Sequence, residues 1–353
     1  MMNEIQQKLF EFENLSIEDS CKLFESLIKG ELSEIETTSL LISLKMKGEH
    51  PQEIAGAAKA LQSNANHFPE TDYLCADSCG TGGSGMSTVN ISTMVAIVLA
   101  KMGLPMVKHG NRSISSKCGS ADVLEQLGFK IDLTAEQSKT CLDEFNFCFL
   151  FAPFYHPGVK HVMPVRNALQ TRTIFNSLGP LINPANPAYQ LMGVYSADLC
   201  LPAAETLKLS GCKAAMIVHS GGYDEITLHS PTKVVELIED EIKSYTLTND
   251  DFGVPSCFKE DITGNDPKLN AEIFIDILAG KLDTKKKVAI ANTVAANAGA
   301  LLKLAGMASS LKDGTTQALQ VVESGQAFEH LTKLVDFSHN IGKEPPFEEN
   351  RSV

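Results

Sequence analysis

The chain has 353 residues, enough for one large domain or two ordinary ones, and its 43% apolar content supplies a sizeable globular core. A formal net charge of −13 argues against a general nucleic-acid or membrane-surface binder, while leaving room for a small basic pocket. Nine cysteines at irregular positions form no CxxC pair and no zinc spacing, and neither an apolar signal core nor a bilayer-length apolar run is present, so a soluble cytoplasmic protein with free thiols is expected.

The first elements are all helical. In SIEDSCKLFESLIKG, Ser16 is a candidate N-cap, Asp19 stands at the capping-box position and Gly30 is a stop, with Leu23, Phe24, Leu27 and Ile28 at helical spacing. ELSEIETTSLLISLKMKGE repeats the pattern and stops at Gly48, and the next helix begins at Pro51. From residue 72 the texture changes. Short apolar runs (YLCADSC, LPMVKHG, NFCFLFAP, YQLMGVY, KAAMIVHS) alternate with helical patterns (NISTMVAIVLAKMG, SADVLEQLG, TAEQSKTCLDEF, ADLCLPAAETLKLSG). That alternation predicts an α/β fold with a mainly parallel central sheet flanked by helices. The last ninety or so residues return to long helices, and GKEPPFEENRSV reads as a frayed end. The expected division is a small all-helical N-terminal domain, 1–68, and a larger α/β domain, 69–353. Helices from about 165–187 are expected to pack back onto the first.

Chemistry concentrates where strands end. CGTGGSG, residues 79–85, follows an apolar run and precedes a helix. A loop there can turn its amides inward toward an anion, with the helix N-terminus behind it; a tight turn needing positive φ would use the same glycines. Asn90, Ser92 and Thr93 at the helix start suit either capping or phosphate and metal contacts. A second polar strand end, Lys108 to Arg112, runs into Ser113, Ser115, Ser116, Lys117, Gly119 and Ser120. So polar a strand end calls for a ligand or for salt bridges, and strand C-terminal ends are where α/β sheets bind ligands. Asp224 and Glu225, after two glycines and before the strand-like ITL, read as a Mg²⁺ site or as a solvated turn. On their own, Arg166 reads as a helix-surface arginine and His109 and His156 as structural histidines.

GTGGSGMSTVNIST followed by KHGNRSISSKCGSADVLEQLG resembles the signatures of the anthranilate phosphoribosyltransferase family, and the likeness runs in order through FAPFYHPGVKHVMPVRNALQTRTIFNSLGPLINPANP, QLMGVYS and HSGGYDEITLHSPTKVVEL. The resemblance implies transfer of a phosphoribosyl group from 5-phosphoribosyl-1-diphosphate to anthranilate, with Mg²⁺, by a homodimer that pairs through its helical module. It implies that the donor lies among Gly80, Thr81, Gly82, Gly83, Ser84, Thr88, Asn90, Ser92, Thr93, Lys108, Asn111, Ser115, Ser116, Lys117, Cys118, Gly119 and Ser120. Anthranilate would face Gly80, His109, Asn111, His156 and Arg166, and Mg²⁺ would sit on Asp224 and Glu225, with Ser92 at another metal position. Ser84 departs from the family's usual GTGGDG and removes one negative charge beside the diphosphate; Cys118 stands where serine is common. Two other functions are weighed. A pyrimidine nucleoside phosphorylase of the same fold would carry a different block in place of KHGNR…GSAD, and a non-catalytic nucleic-acid binder would be basic.

Overall fold

The computed structural model describes residues 2–82, 86, 88–113 and 117–341. Four helices come first: Met2–Phe10, Ile17–Ile28, Glu34–Lys47 and Pro51–Ser63. Ser16 caps the second, accepting from the Asp19 amide at 3.1 Å, but Asp19 does not complete a capping box. Its carboxylate pairs with Lys8 instead, at 2.8 Å. Gly30 and Gly48 end their helices at φ of +74° and +86°. The inner faces of these helices share one apolar core with Val162, Val165, Phe175 and Leu178, with helix Cys200–Leu209, and with Met192, Ala215 and Ile217 of the sheet.

The sheet has seven strands: β1 (Ala76–Gly80), β2 (Met106–Gly110), β3 (Phe147–Phe151), β4 (Tyr189–Gly193), β5 (Ala214–Ser220), β6 (Thr232–Ile238) and β7 (Glu241–Leu247). Their order is β3-β2-β1-β4-β5-β6-β7, parallel from β3 to β5 and antiparallel through β6 and β7. The apolar runs predicted as strands are β1 to β5. The β6–β7 hairpin was not foreseen. Its turn uses Glu239 and Asp240 at positive φ rather than glycine, and β7 is a largely exposed edge with no apolar run to mark it. ITL, read as strand-like, is not a strand; Ile226 to Leu228 lie buried in the loop between β5 and β6.

Alternation along β5 shows how the layers form. Ala214, Met216 and Val218 face the larger core with helices Ile91–Lys101 and Lys285–Leu304, while Ala215 and Ile217 face the helical module. The long C-terminal stretch breaks at Gly325 (φ +76°) into helices Leu311–Glu323 and Gln326–Asn340. The end expected to fray, 342–353, falls outside the described residues.

Candidate active site

After β1 the chain builds β2 and β3 on one side, then crosses to place β4 on the other. This reversal opens a crevice at the C-terminal ends of β1 and β4. Gly80 and Gly193 pair there. The turn after β5 carries Asp224 across both: a Cβ on Gly80 would overlap its carboxylate, and one on Gly193 its backbone carbonyl. At Gly193 the backbone leaves no room for a side chain, whereas at Gly80 the Asp224 carboxylate would have to shift.

Two contacts tie the acidic pair to the segment after β1, and two more tie that segment to the end of β4. The Gly82 amide donates to Asp224 Oδ2 (2.7 Å), so this member of the expected amide cradle is engaged by a carboxylate. Thr88 Oγ1 donates to Glu225 Oε1 (2.9 Å). Thr81 donates its amide to Gly193 O (2.9 Å) and accepts the Tyr195 amide at Oγ1 (3.2 Å). Glu225 Oε2 is buried without a hydrogen-bond partner among the described residues. Burial of the carboxyl, and then the Asp224 charge, push Glu225 up to about 8, against the pull of Thr88 and Lys108.

Lys108 is 2% exposed and donates to Ser78 O (2.8 Å) and Ser92 Oγ (3.2 Å). Burial lowers its pKa, and the neighbouring Asp77 opposes that. Burial in turn raises Asp77 to about 6, offset by Lys108 and by Asn183, whose amide donates to Asp77 Oδ2 at 2.9 Å. A cation thus already stands beside Ser92, where the resemblance implies a further metal position.

The helix-start asparagine does not cap its helix. Asn90 donates to Cys118 O and Gly119 O (both 3.3 Å) and accepts from Asn270 (3.0 Å) and Cys118 Sγ (3.3 Å), stitching the second polar loop to the first. Ser120 Oγ donates to Asn111 O (3.4 Å) at the start of helix Ser120–Gln126. Arg112 takes the salt-bridge alternative, pairing with Glu125 and Asp122. Lys117 is exposed and reaches Asn265 at 3.5 Å. Thr93 points into the core, 1% exposed. Gly83, Ser84, Ser115 and Ser116 lie outside the described residues.

The residues implied for the acceptor meet only in part. His109 and His156 stand edge to face at 5.3 Å. Each ring donates to a backbone carbonyl, His109 Nδ1 to Gly179 O (3.2 Å) and His156 Nε2 to Ile182 O (2.8 Å). Burial, and then the second imidazole, push His109 down to about 3; burial lowers His156 too. Both rings are neutral near pH 7. Arg166, on helix Met163–Leu169, lies over the Phe175 ring at 5.3 Å, and burial lowers its pKa. It has no carboxylate partner among the described residues. Asn111 is exposed, with Oδ1 taken by the Arg112 amide.

Sequence reasoning missed the strap that holds the histidines. Along 179–183, Gly179 and Ile182 receive His109 and His156, Pro180 O receives Gln190 (2.6 Å), and Asn183 bonds Asp77 and Val107 O. The segment is expected only to pack back onto the helical module, and a run of accepting carbonyls leaves no residue-type signal.

Among the described residues no cluster of three or more His, Cys, Asp and Glu could hold a metal unaided. Residues 72–328 match the model of the glycosyl transferase family, a/b domain, and residues 3–65 that of the glycosyl transferase family, helical bundle domain. The chain is 49% identical over 334 residues to the anthranilate phosphoribosyltransferase of Yersinia pseudotuberculosis (serotype O:1b, strain IP 31758), covering 95% of this chain and 99% of that one. The crystal structure of anthranilate phosphoribosyltransferase from Thermus thermophilus is similar with a TM-score of 0.89 at 36% identity, covering 95% of this chain and 99% of that one. The Saccharomyces cerevisiae enzyme in complex with PRPP and Mg is similar with a TM-score of 0.86 at 27% identity, covering 96% and 98%.

Proposed function

The chain belongs to the anthranilate phosphoribosyltransferase family, and from that premise we propose that it transfers the 5-phosphoribosyl group of 5-phosphoribosyl-1-diphosphate to the amine of anthranilate, in L-tryptophan biosynthesis. The products are N-(5-phosphoribosyl)anthranilate and diphosphate. The observation that carries the reading is the meeting of Gly80, Gly82, Thr88, Lys108 and the Asp224–Glu225 pair at the switch point of the sheet. These residues come from three separate stretches of sequence and supply amides, hydroxyls, a cation and carboxylates in one crevice.

Breaking the sugar C1–O bond leaves the electron pair on diphosphate and positive charge on the sugar. The amine nitrogen then bonds to C1 and sheds a proton. The chain's task at the leaving group is to hold negative charge, which falls to Lys108, Thr88, Ser92, Asn90, the loop amides and the 118–120 turn. The buried Oε2 of Glu225, without a partner among the described residues and beside Asp224, fits a divalent cation, and a pair of adjacent carboxylates fits Mg²⁺, which leans on phosphate oxygens and water. Asp224 and Glu225 would hold it, with Ser92 at another metal position; when bound, Mg²⁺ would neutralise charge growing on the diphosphate. At the acceptor, two uncharged imidazoles form a wall suited to an aromatic ring. Arg166 offers a guanidinium for the carboxylate. An aromatic amine is unprotonated near neutrality, so positioning matters more than a general base.

The cytoplasm and a homodimer belong to the same proposal. The helical module leaves Phe12 (64%), Ile35 (82%) and Met46 (68%) exposed, apolar side chains that a partner subunit would cover. The activity is tested by incubating the purified protein with anthranilate, the donor and Mg²⁺ and following anthranilate fluorescence. Loss of fluorescence that needs all three is expected. Stable fluorescence, with phosphate-dependent cleavage of thymidine instead, would replace this reading with that of a nucleoside phosphorylase.

A further inference from the structure

Asp224 and Glu225 sit in irregular chain, yet the backbone on both sides of them is fixed by side chains that no part of the mechanism above uses. Upstream, Gly221 and Gly222 form a tight turn at φ +55° and +94°, closed by reciprocal bonds between Ser220 and Tyr223 (3.1 and 2.9 Å). His219, next to last in β5, donates Nδ1–H to Val194 O (2.8 Å) and accepts the Gly222 amide at Nε2 (3.3 Å). A carbonyl only accepts and an amide only donates, so these partners select one neutral tautomer. Val194 directly follows Gly193, so the ring joins the end of β4 to the turn that carries the acidic pair.

Downstream, Asn297 reaches in from helix Lys285–Leu304 and is 3% exposed. Its Oδ1 accepts the Ile226 amide (3.1 Å), and its Nδ2 donates to Ile226 O (2.8 Å) and to Thr293 O of its own helix (2.8 Å). One carboxamide therefore makes the two bonds a neighbouring strand would make to Ile226, where no strand exists. The helix is anchored in the larger core, so the clamp is rigid on its far side.

We propose that Asn297 and His219 are positioning residues that brace residues 222–226 from both sides and so hold the Asp224 and Glu225 carboxylates ready for a divalent cation. The inference rests on the reading that this pair holds the metal. Losing Asn297 strands a buried amide and carbonyl at Ile226, which favours a shifted backbone one residue from Glu225.

The test measures Mn²⁺ binding by the full chain in the presence of inorganic diphosphate, from the electron paramagnetic resonance signal of free Mn²⁺, alongside hydrogen exchange of the 222–226 amides. Asn297→Ala is expected to weaken Mn²⁺ about tenfold, the usual scale for groups that orient metal ligands, and to speed exchange at Ile226. In an Asp224→Asn/Glu225→Gln background the same change is expected to have no further effect on Mn²⁺. If Asn297→Ala does not fold, His219→Asn serves instead. It keeps a donor for Val194 O, removes the acceptor for Gly222, and is expected to weaken Mn²⁺ by at least a few-fold. Unchanged Mn²⁺ affinity in these variants, with the double carboxylate variant impaired, would overturn the positioning role alone. Unchanged affinity in the double carboxylate variant would overturn the metal reading beneath it.

Discussion

Gly193 faces Asp224 so closely that a single methyl group there must displace the backbone of the acidic turn. Gly179, at the start of the strap, meets nothing within 4 Å of the same added methyl and has no positive φ. The two glycines therefore predict opposite results. Gly193→Ala is expected to destabilise the fold by about 1–3 kcal/mol, the range for overpacking against backbone, and to abolish most activity by moving Asp224. Gly179→Ala is expected to be neutral or stabilising by a few tenths of a kcal/mol, because it restricts the unfolded chain. Thermal melts of both variants check this, and a Gly193→Ala protein that melts and turns over like the parent would refute the close approach. Only part of this is legible in the sequence. Gly80 announces itself in a glycine-rich loop, whereas Gly193 looks like a chance residue at the end of an apolar run. Its need for glycine arises from a segment thirty-one positions later, and residue-type spacing does not reach across that gap.

Among the elements, the N-terminal helices are joined by a charge pair with almost no contact with solvent. Lys47 and Glu53 meet at 2.8 Å with side chains 4% and 0% exposed. Glu53 also accepts the amides of Leu15 (2.9 Å) and His50 (2.8 Å), and Lys47 also donates to Asn14 and Gly48 O (both 2.8 Å). Every strong donor and acceptor is used, so breaking the pair from one side leaves a buried charge. Lys47→Met is expected to cost about 3–5 kcal/mol. Replacing both partners, in Lys47→Met/Glu53→Leu, is often neutral for an isolated buried pair, but here it leaves the Leu15 and His50 amides without acceptors and is expected to recover little. Urea melts of the single and double variants decide the point; a double variant as stable as the parent would mean the pair is not what holds these helices. The helices themselves were legible from Ser16, Gly30, Gly48 and Pro51, since caps and stops act locally. The clamp between them was not, because nothing in a lysine and a glutamate six positions apart signals burial until three dimensions close around them. The same contrast separates β1–β5, whose apolar runs come from burial on both faces, from the exposed edge strand β7.

For the whole molecule, the site was legible as fragments and not as a constellation. KHGNR and GYDEI each declare polar residues beside a turn, but the strand order that brings them together is a long-range property. Long-range burial also makes the histidine pair a reporter on global stability. His109 has an ordinary value of 6.5 and is pushed down to about 3 in the fold. Between those pH values the unfolded chain binds a proton that the native ring refuses, so acidification favours unfolding. For His109 alone this amounts to about 2–3 kcal/mol between pH 6.5 and 4.5, at roughly 1.4 kcal/mol per pH unit. Asp77 acts in the opposite sense: raised to about 6 from 3.8, it takes its proton in the native state first, so its contribution grows as pH falls through that window. Because the carboxyl is common to parent and variant, comparing the two removes it. His109→Gln can still donate to Gly179 O but has no proton to gain, so its stability is expected to fall less steeply than the parent's from pH 6.5 to 4.5. Denaturant melts across that range check it. Parallel curves would mean that His109 titrates in the fold as it does in water, and the neutral wall drawn for the acceptor ring would have to be abandoned.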